Sequence, residues 1–309
     1  MINDNNTLIF LGSFNGGTFI QEQLDSIANQ TYQNWQLIVS DDGSTDNTFS
    51  LVQAFASTLQ PNKVIFRKGP GSGFVQNFLS MACDPQLSGS SYAFSDQDDV
   101  WLPRKLERAL SILNRPELQE IPALYCSRTT YVDANLTEIG QSPHFKQAPH
   151  FRNALVQSIA GGNTMVFNNP LKKLLEAIGG VQVVSHDWWL YQLVTGVGGF
   201  VYYDETPWIL YRQHPNALIG GNTSIMAKAR RVRMVAEGTY KDMNLKSQMA
   251  LKLAGAYLTK EASEILETFS DVRSNSVLRR CNAILQSGVY RQSFSGQLSL
   301  MLAAMLHKL

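Results

Sequence analysis

Apolar and polar positions alternate in blocks along the first 130 residues of the chain. Short apolar runs end in polar turns, and the turns lead into apolar residues at helical spacing, such as Ile20, Leu24 and Ile27. The predicted strands are Leu8–Leu11, Leu37–Val39, Val64–Arg67, Tyr92–Phe94 and Ala123–Ser127. Because strands and helices alternate, the pattern predicts an α/β fold with a mostly parallel, doubly wound sheet.

Helical spacing of apolar residues also indicates where the chain changes from alternating strands and helices to helices alone. The predicted helices are Gly17–Gln30, Phe49–Leu59 with Asp46 as its cap, Phe74–Cys83 and Pro103–Asn114. Ile139–Phe151 has few periodic apolar positions and is predicted to be irregular, whereas Met165–Phe167 and Trp208–Leu210 are two further predicted strands. Beyond Ser224 only helical patterns remain, which predicts a C-terminal helical region after a boundary near Gly220–Asn222.

The composition is that of a globular chain able to bury a sizeable core. Of 309 residues, 44% are hydrophobic and 17% are charged. The opening residues lack the charged and apolar pattern of a secretory signal, and no apolar run approaches the roughly 20 residues of a membrane-spanning helix. Three cysteines (Cys83, Cys126 and Cys281) cannot all pair and have no metal-ligand spacing, so we expect thiols in a reducing, cytoplasmic setting.

Charge is distributed unevenly along the chain. Residues 1–224 carry 13 Lys and Arg against 19 Asp and Glu, whereas residues 225–309 carry 13 against 6. The basic region is suited either to an anionic membrane leaflet or to a solvated helical surface that matches the acidic half. A terminal apolar stripe would lie on a membrane, pack on its own core or contact a second subunit; it comprises Phe294, Leu298, Met301, Leu302, Met305, Leu306 and Leu309.

Three polar turns follow predicted strands and carry the candidate chemistry. Asp96, Asp98 and Asp99 follow the fourth strand, Asp41–Thr48 follows the second, and Gly12–Gly17 follows the first. Dense carboxylates repel one another unless a cation lies between them, and hard oxygen ligands suit Mg²⁺ or Mn²⁺. The alternative for the acidic cluster alone is a surface turn that caps the next helix. Because open α/β sheets bind ligands at the carboxyl ends of their strands, we expect the three turns to form one crevice.

Several motifs in order resemble the family 2 inverting glycosyltransferases. They are Ser13–Asn15, Gln30–Trp35, Asp41–Thr48, Asp96–Asp99, Ser185–Trp189 and Tyr211–Asn216, and the last two resemble the rhamnosyltransferase-like branch that builds bacterial surface polysaccharides. The resemblance extends through about Asn222. It implies a GT-A-like domain over residues 1–222, with a donor half to about 127 and an acceptor half from about 128, followed by a helical region over 223–309.

The resemblance implies a divalent metal, Mn²⁺ or Mg²⁺, at the acidic cluster. Asp98 would be the ligand, Asp96 would support it directly or through water or the donor ribose, and Asp99 would cap the next helix. Because a nucleoside diphosphate leaves poorly until its charge is neutralised, such a cation has a chemical purpose. His214 would complete the metal shell or bind the β-phosphate.

The resemblance also implies a set of donor-binding residues. Asp42, with Asp41 as runner-up, would accept a hydrogen bond from the N3–H of uracil or thymine, and Phe14 would stack on the base or belong to the core. The remaining donor-side candidates are Ser13, Asn15, Lys68, Gln76 and Arg212. Gln76 stands where many relatives carry Arg, so the cation that contacts the diphosphate on that side stays open. Arg212 would pair with the diphosphate, and the glycines of Gly69–Gly73 would let backbone N–H groups approach phosphate.

Asp187 is the candidate catalytic base. Inverting transfer needs a carboxylate to take the proton of the acceptor hydroxyl, and Asp187 lies near a predicted helix N-terminus that favours an anion. The alternative is a purely capping role. Trp188 and Trp189 would support a sugar ring, with at least one of them in the core. Gly162 and Asn163 match the family's acceptor-side loop, and the alternative there is a tight turn without ligand.

These residues predict a metal-dependent inverting glycosyltransferase. Its donor would be a dTDP- or UDP-sugar, with dTDP-rhamnose favoured, and its acceptor a growing bacterial glycan, with lipid linkage left open and no nucleic-acid partner. The rivals are a non-catalytic sugar-nucleotide or glycan-binding subunit and a sugar nucleotidyltransferase. Against the latter, Gly12–Gly17 contains no Lys or Arg. A Rossmann dehydrogenase is excluded because no Gly-x-Gly-x-x-Gly follows the first strand.

Overall fold

The computed structural model describes residues 6–214 and 238–309. The predicted boundary at Gly220–Asn222 and the end of the last motif, Pro215–Asn216, lie outside these described residues. The division of the chain at residue 222 therefore stays a prediction.

Eleven strands form two sheets within the described part of the chain. They are β1 (Thr7–Ser13), β2 (Trp35–Asp41), β3 (Val64–Lys68), β4 (Ser91–Ser95), β5 (Val100–Trp101), β6 (Ala123–Ser127), β7 (Thr130–Val132), β8 (Glu138–Gln141), β9 (Val166–Asn168), β10 (Phe200–Asp204) and β11 (Ile209–Arg212). The larger sheet has the order β10-β6-β9-β4-β1-β2-β3. All of its pairs are parallel except those that β9 makes with β4 and β6. The predicted mostly parallel sheet is confirmed.

Continuous apolar runs form the strands of this sheet because helices cover both of its faces. Leu8, Ile9, Phe10 and Leu11 of β1 are all buried, as are Leu37–Val39 of β2. Ile20, Leu24 and Ile27, which predicted the first helix, belong to the same core cluster. The strands are thereby held rigidly, and their polar ends are fixed in space.

Eleven α-helices accompany the strands in the described residues. They are α1 (Ile20–Ala28), α2 (Thr48–Ser57), α3 (Phe74–Ala82), α4 (Lys105–Leu113), α5 (Phe151–Ala154), α6 (Asn169–Ile178), α7 (His186–Gly196), α8 (Thr239–Leu253), α9 (Lys260–Ser270), α10 (Val277–Ser287) and α11 (Phe294–Met305). The four helices predicted between the strands are confirmed, with ends displaced by up to three residues. Asp46 accepts hydrogen bonds from the N–H and hydroxyl of Thr48, the first residue of α2.

The smaller sheet corrects one prediction. Its order is β5-β11-β7-β8, and β8 occupies residues that were predicted to be irregular. β8 has exposed side chains and only four residues, so it carries little periodic signal, and pairing with β7 decides its conformation. The short helix α5 begins at the other end of the same predicted loop.

The chain divides into two compact units. Of the described residues, the first unit contains 6–143, 160–180 and 200–214, and the second contains 144–159, 181–199 and 238–309. Both sheets belong to the first unit, and α5, α7 and the C-terminal helices belong to the second. None of the helices in the described residues combines the length and the apolar character needed to cross a bilayer.

The cysteines behave as buried thiols. Cys126 is fully buried and Cys83 partly so, and neither is in a disulfide. Burial raises the pKa of Cys83 to about 11 and that of Cys126 further, which keeps both protonated at neutral pH.

Candidate functional site

The carboxyl ends of β1, β2 and β4 meet at one edge of the large sheet. Ser13 is in register with Asp41, and Leu11 is in register with Ser95. The three polar turns that follow these strands therefore start side by side, as the sequence predicted. Each turn is held by side-chain hydrogen bonds from the next.

Asp41 joins the first turn to the second. Its buried carboxylate accepts a hydrogen bond from the Ser13 hydroxyl at 2.8 Å, and from the Ser44 N–H at 2.9 Å. Asn15, which has a positive φ of 48°, accepts a bond from the Thr45 N–H at 2.9 Å. Ser13, Asn15 and Asp41 thus shape the loops. Ser13 and Asp41 are buried, whereas Asn15 is exposed and bonds Thr45 through its side-chain oxygen.

Gln97 joins the first turn to the acidic cluster. Its amide accepts a bond from the Phe14 N–H at 2.9 Å and donates one to the Phe14 carbonyl at 3.0 Å. The Phe14 side chain itself is 57% exposed, so it does not belong to the core. An exposed aromatic ring at this edge is available for stacking.

Asp42 is enclosed by the glycine-rich loop after β3. One carboxylate oxygen accepts a bond from the Gly71 N–H at 2.7 Å, and the other accepts one from the Gly73 N–H at 2.8 Å. Both glycines have positive φ, a conformation that favours glycine. These N–H groups face Asp42, which differs from the predicted approach to phosphate. Since each carboxylate oxygen has two lone-pair directions and accepts one of these bonds, Asp42 retains capacity for two further donors.

Asp98 lies beside His214, although 116 positions separate them in the chain. The His214 Nε2 and the Asp98 Oδ2 are 2.9 Å apart. Asp96 is half-buried in the same turn. Carboxylate oxygens with one imidazole nitrogen are a donor set that fits Mn²⁺ or Mg²⁺. No group of three or more His, Cys, Asp or Glu side chains within 6–214 and 238–309 is arranged to hold a metal by itself.

Asp99 does not cap the next helix, contrary to prediction. Helix α4 begins at Lys105 after Arg104, which provides no side-chain cap. Asp99 is fully buried and accepts bonds from the Asn163 amide at 2.5 Å and from the Arg212 N–H at 3.2 Å. Burial raises its pKa well above the usual value, and the charges of Asp98 and Asp96 raise it further. The partners of this carboxylate are far from it in the chain, so the local sequence could not indicate that it is buried.

Arg212 has contacts within the protein that the sequence did not predict. Its guanidinium is buried and donates to the Asp98 backbone carbonyl at 2.9 Å, to the Ala134 carbonyl and to Glu22. It also lies 4.4 Å from the centre of the Phe19 ring. Three of the five guanidinium N–H groups are thus engaged by protein and hold β11 against the acidic turn. Pairing of Arg212 with a diphosphate stays a prediction.

Lys105 is a buried charge that sequence analysis missed. Its ammonium lies 3.6 Å from the centre of the Trp101 ring, and its side chain is fully buried. Burial lowers the pKa of Lys105 to about 7, against the opposing effect of Asp99. A lysine in the first turn of an amphipathic helix is usually exposed, so no local signal indicated this position.

Lys68 and Gln76 flank the glycine-rich loop as predicted. Lys68 is exposed at the end of β3, and Gln76 is half-buried in the first turn of α3. Lys68 is therefore a cationic side chain within the first unit that remains accessible beside Asp42.

Asp187 occupies the first turn of α7, in the second unit. Its carboxylate is half-buried and accepts a bond from the Trp188 N–H at 2.6 Å. Trp189 is in the core, as expected of one of the pair, whereas Trp188 is half-buried and donates its indole N–H to the Ala154 carbonyl at 2.6 Å. His186 is fully buried, and burial lowers its pKa to about 4.

Gly162 and Asn163 form a short 3-10 turn before β9. The Asn163 side chain is buried and bonded to Asp99. This contact favours the tight-turn alternative for the Asn163 side chain, because the amide is already engaged.

Comparison with known proteins adds family and fold. Residues 9–175 match the family described as Glycosyl transferase family 2. The dTDP-rhamnosyl transferase RfbG of Shigella flexneri is 29% identical over 242 residues, which are 75% of this chain and 81% of that protein. A UDP-Glc:alpha-D-GlcNAc-diphosphoundecaprenol beta-1,3-glucosyltransferase, WfgD of Escherichia coli, is 35% identical over 34% of this chain and 40% of its own length.

Solved structures share the fold. S. aureus TarS 1-349 in complex with UDP-GlcNAc has a TM-score of 0.55 at 13% identity, over 97% of this chain and 90% of that one. The mannosyltransferase PcManGT from Pyrobaculum calidifontis, in complex with GDP-Man and Mn2+, has a TM-score of 0.50 at 18% identity, over 98% and 86%. The predicted GT-A-like fold is confirmed.

Proposed function

Because the chain belongs to glycosyl transferase family 2 and is a glycosyltransferase acting on a glycan, we propose that it moves rhamnose from dTDP-rhamnose with inversion. The observation that carries this proposal is the pairing of Asp98 with His214 at the sheet edge that also holds Asp42. The rhamnose assignment is supported by similarity to a dTDP-rhamnosyl transferase along 75% of the chain. A UDP-sugar is the alternative donor.

The nucleotide base would be held between Asp42 and Phe14. Asp42 is fixed by two backbone N–H groups and keeps a lone pair for the N3–H of thymine or uracil, a donor that cytosine lacks. Phe14 offers an exposed ring beside it. Lys68, exposed at the end of β3, is the cation nearest in the chain to this loop and would face the diphosphate.

Asp98, supported by Asp96 and His214, would bind a divalent metal, Mn²⁺ or Mg²⁺, together with oxygens of the donor diphosphate, since these side chains are not arranged to hold a metal by themselves. When bound, such a cation neutralises the charge that develops on the departing diphosphate. The chain contributes the placement of its ligands: Arg212 binds the Asp98 carbonyl, and Asp99 binds the Arg212 N–H, so the acidic turn and β11 are fixed together. This arrangement keeps His214 within reach of Asp98.

Asp187 would serve as the catalytic base. Asp187 lies in the first turn of α7, and its carboxylate accepts a bond from the Trp188 N–H. As a carboxylate it would accept the proton of the acceptor hydroxyl while the hydroxyl oxygen attacks the anomeric carbon. The C–O bond to the diphosphate breaks as the new glycosidic bond forms on the opposite face.

The acceptor is proposed to be a growing glycan linked to a lipid diphosphate. The name of the E. coli relative includes a diphosphoundecaprenol acceptor, which is the support for lipid linkage. Trp188, half-buried next to Asp187, would present its ring to the acceptor sugar. In this scheme residues 1–222 form the transferase domain and 223–309 a helical addition, and the enzyme works at the inner face of the membrane.

A thermal-shift panel tests the donor site. The protein is heated with dTDP, UDP, GDP or NAD, each with Mn²⁺ and with chelator, beside an Asp98→Asn variant. We expect stabilisation by dTDP or UDP with metal, by about 2.7 kcal/mol at roughly 100 times the dissociation constant, and its loss in the variant. Asp133→Asn, on an exposed turn after β7, is the matched control. Equal stabilisation with chelator would reject the metal site.

A further inference from the structure

The last two helices of the second unit carry large apolar side chains on their exposed faces. On α11, Phe294, Leu298 and Leu302 are 88%, 63% and 54% exposed, and they recur every four residues along one face. Met305 and Leu306 extend this exposed set to the end of the helix. On α10, Leu278 and Leu285, seven residues apart and hence on one face, are 82% and 67% exposed. We call these seven residues the apolar face.

The buried face of α11 carries smaller side chains than its exposed face. Its buried residues are Leu300, Ala303 and Ala304, so the small side chains face the protein and the large ones face outward. A helix that served only its own core would have the reverse arrangement. Leu309, predicted to belong to the same stripe, is buried and is not part of the apolar face.

A buried arginine fixes the hairpin that carries the apolar face. Arg280 of α10 donates to the carbonyls of Ala304 and Met305 at the end of α11, at 2.6 and 2.8 Å. It also donates to the carbonyls of Ser274 and Asn275 before α10. The two helices are therefore held in a set relation to each other before any partner binds.

The chain segment that carries the apolar face has side-chain charge of one sign. Residues 272–309 contain five Lys and Arg and no Asp or Glu. Arg279 is exposed on α10, and Arg273, Arg291 and Lys308 are partly exposed around the hairpin. The carboxylates that precede this segment, Glu261, Glu264, Glu267 and Asp271, lie on α9 and directly after it. Within the hairpin itself the apolar side chains are accompanied by cationic side chains alone, which matches a surface that is apolar inside and anionic at its boundary.

We propose that the α10–α11 hairpin docks on an anionic lipid bilayer, with the apolar face inserted at the level of the headgroups. The inference deepens the proposed function, since it supplies a means of reaching a lipid-linked acceptor. It commits to lipid because charge of one sign favours an anionic surface, whereas two copies of a cationic face would repel each other.

Vesicle flotation tests the proposal. The full chain is mixed with vesicles of phosphatidylcholine alone or with added phosphatidylglycerol. We expect binding to the anionic vesicles that weakens at high salt, and little binding to neutral ones. Phe294→Ser combined with Leu298→Gln and Leu302→Gln should reduce the bound fraction at least about tenfold, because each buried apolar side chain contributes to partitioning. Met249→Gln with Leu253→Gln, on the exposed face of α8, is the matched control and should bind like the wild type.

Other results would overturn the docking surface. Equal binding to neutral and anionic vesicles, or a triple variant that still binds, would reject it. A wild-type dimer that becomes a monomer in the triple variant, with no vesicle binding by either, would assign the face to a second copy. Metal-dependent dTDP binding is measured in the wild type and in every variant. A wild type that binds vesicles but not dTDP would reject the proposed function alone. A wild type that binds dTDP but not vesicles would reject only the docking surface.

Discussion

Asp98 and Asp99 are neighbours in the chain, yet their side chains have opposite environments. Asp98 is half-buried beside His214, whereas Asp99 is sealed in the interior against Asn163 and the Arg212 N–H. Two carboxylates that are adjacent in the chain therefore have different roles. One is available to a cation and the other connects three segments of the first unit.

Replacement of Asp187 by Asn tests whether its carboxylate is the catalytic base. Asp187→Asn keeps the size and the bond from the Trp188 N–H but cannot accept the acceptor's proton, so we expect kcat to fall by roughly 10²–10⁴-fold. Nucleotide binding should not change. Transfer of radiolabelled sugar gives the rate, and thermal shift with dTDP gives the binding.

Asp242→Asn is the control for this experiment. Asp242 is also in the first turn of a helix, α8, and is exposed. If both variants lose the same small amount of activity, Asp187 serves only as a helix-terminal carboxylate.

His186 should make the protein sensitive to acid. Burial lowers its pKa to about 4, below the unfolded value of about 6.5, so the unfolded chain binds more protons between these pH values. Stability should therefore fall as the pH drops through this window, by up to about 1.4 kcal/mol for each pH unit. Urea unfolding of the wild type and His186→Asn from pH 7 to 4 measures the difference in slope. His144→Asn, at an exposed histidine, should keep the wild-type slope.

At the scale of elements, a loop and a strand position candidate ligand-binding residues that lie on other elements. The glycine-rich loop after β3 gives its N–H groups to Asp42, and β11 gives Arg212 to the acidic turn. In each case one element sets the position of a candidate ligand-binding side chain on another. These relations can be broken without touching the candidate ligands.

Gly71→Ala should loosen Asp42. Gly71 has a φ of +66°, where a side chain costs roughly 1 kcal/mol, and its N–H donates to Asp42. We expect weaker binding of dTDP and UDP, by about three- to tenfold. Gly238→Ala, directly before α8, is the control: Gly238 has a φ of +79° and, like Gly71, open space where the Cβ would be added, but it lies far from Asp42 in the chain. Similar nucleotide affinity in both variants would contradict the loop's role.

Arg212→Lys separates the structural role from contact with the diphosphate. Lysine keeps the charge but loses the fork that reaches the Asp98 carbonyl and Glu22, so unfolding free energy should fall by roughly 2–3 kcal/mol. Chemical denaturation measures this, with Arg128→Lys as a control for another arginine bonded to a backbone carbonyl. Unchanged stability together with lost nucleotide binding would restore the contact predicted from the sequence.

At the scale of the whole molecule, charge and chemistry are partitioned between regions. The acidic turns and both sheets belong to the first unit, whereas Asp187 and the apolar face belong to the second. The first 224 residues are net acidic and the rest are net basic. A net charge of +1 for the chain therefore conceals an acidic donor side and a cationic hairpin.

The amino-acid sequence alone determined the sheet, the helices between its strands and the edge at which the polar turns meet. These follow from local periodicity and from the rule that parallel strands place their carboxyl ends together. Resemblance to a family, not periodicity, predicted that Asp98 and His214 belong to the same site.

Only the tertiary structure decided how the polar groups share their partners. Asp99 was predicted to cap a helix and Lys105 was not singled out at all, but both are fully buried. Arg212 turned inward because Glu22 and the Asp98 carbonyl, both distant in sequence, lie within its reach. Hydrogen-bond partners and burial depend on distances between segments far apart in the chain, and periodicity contains no information about those distances.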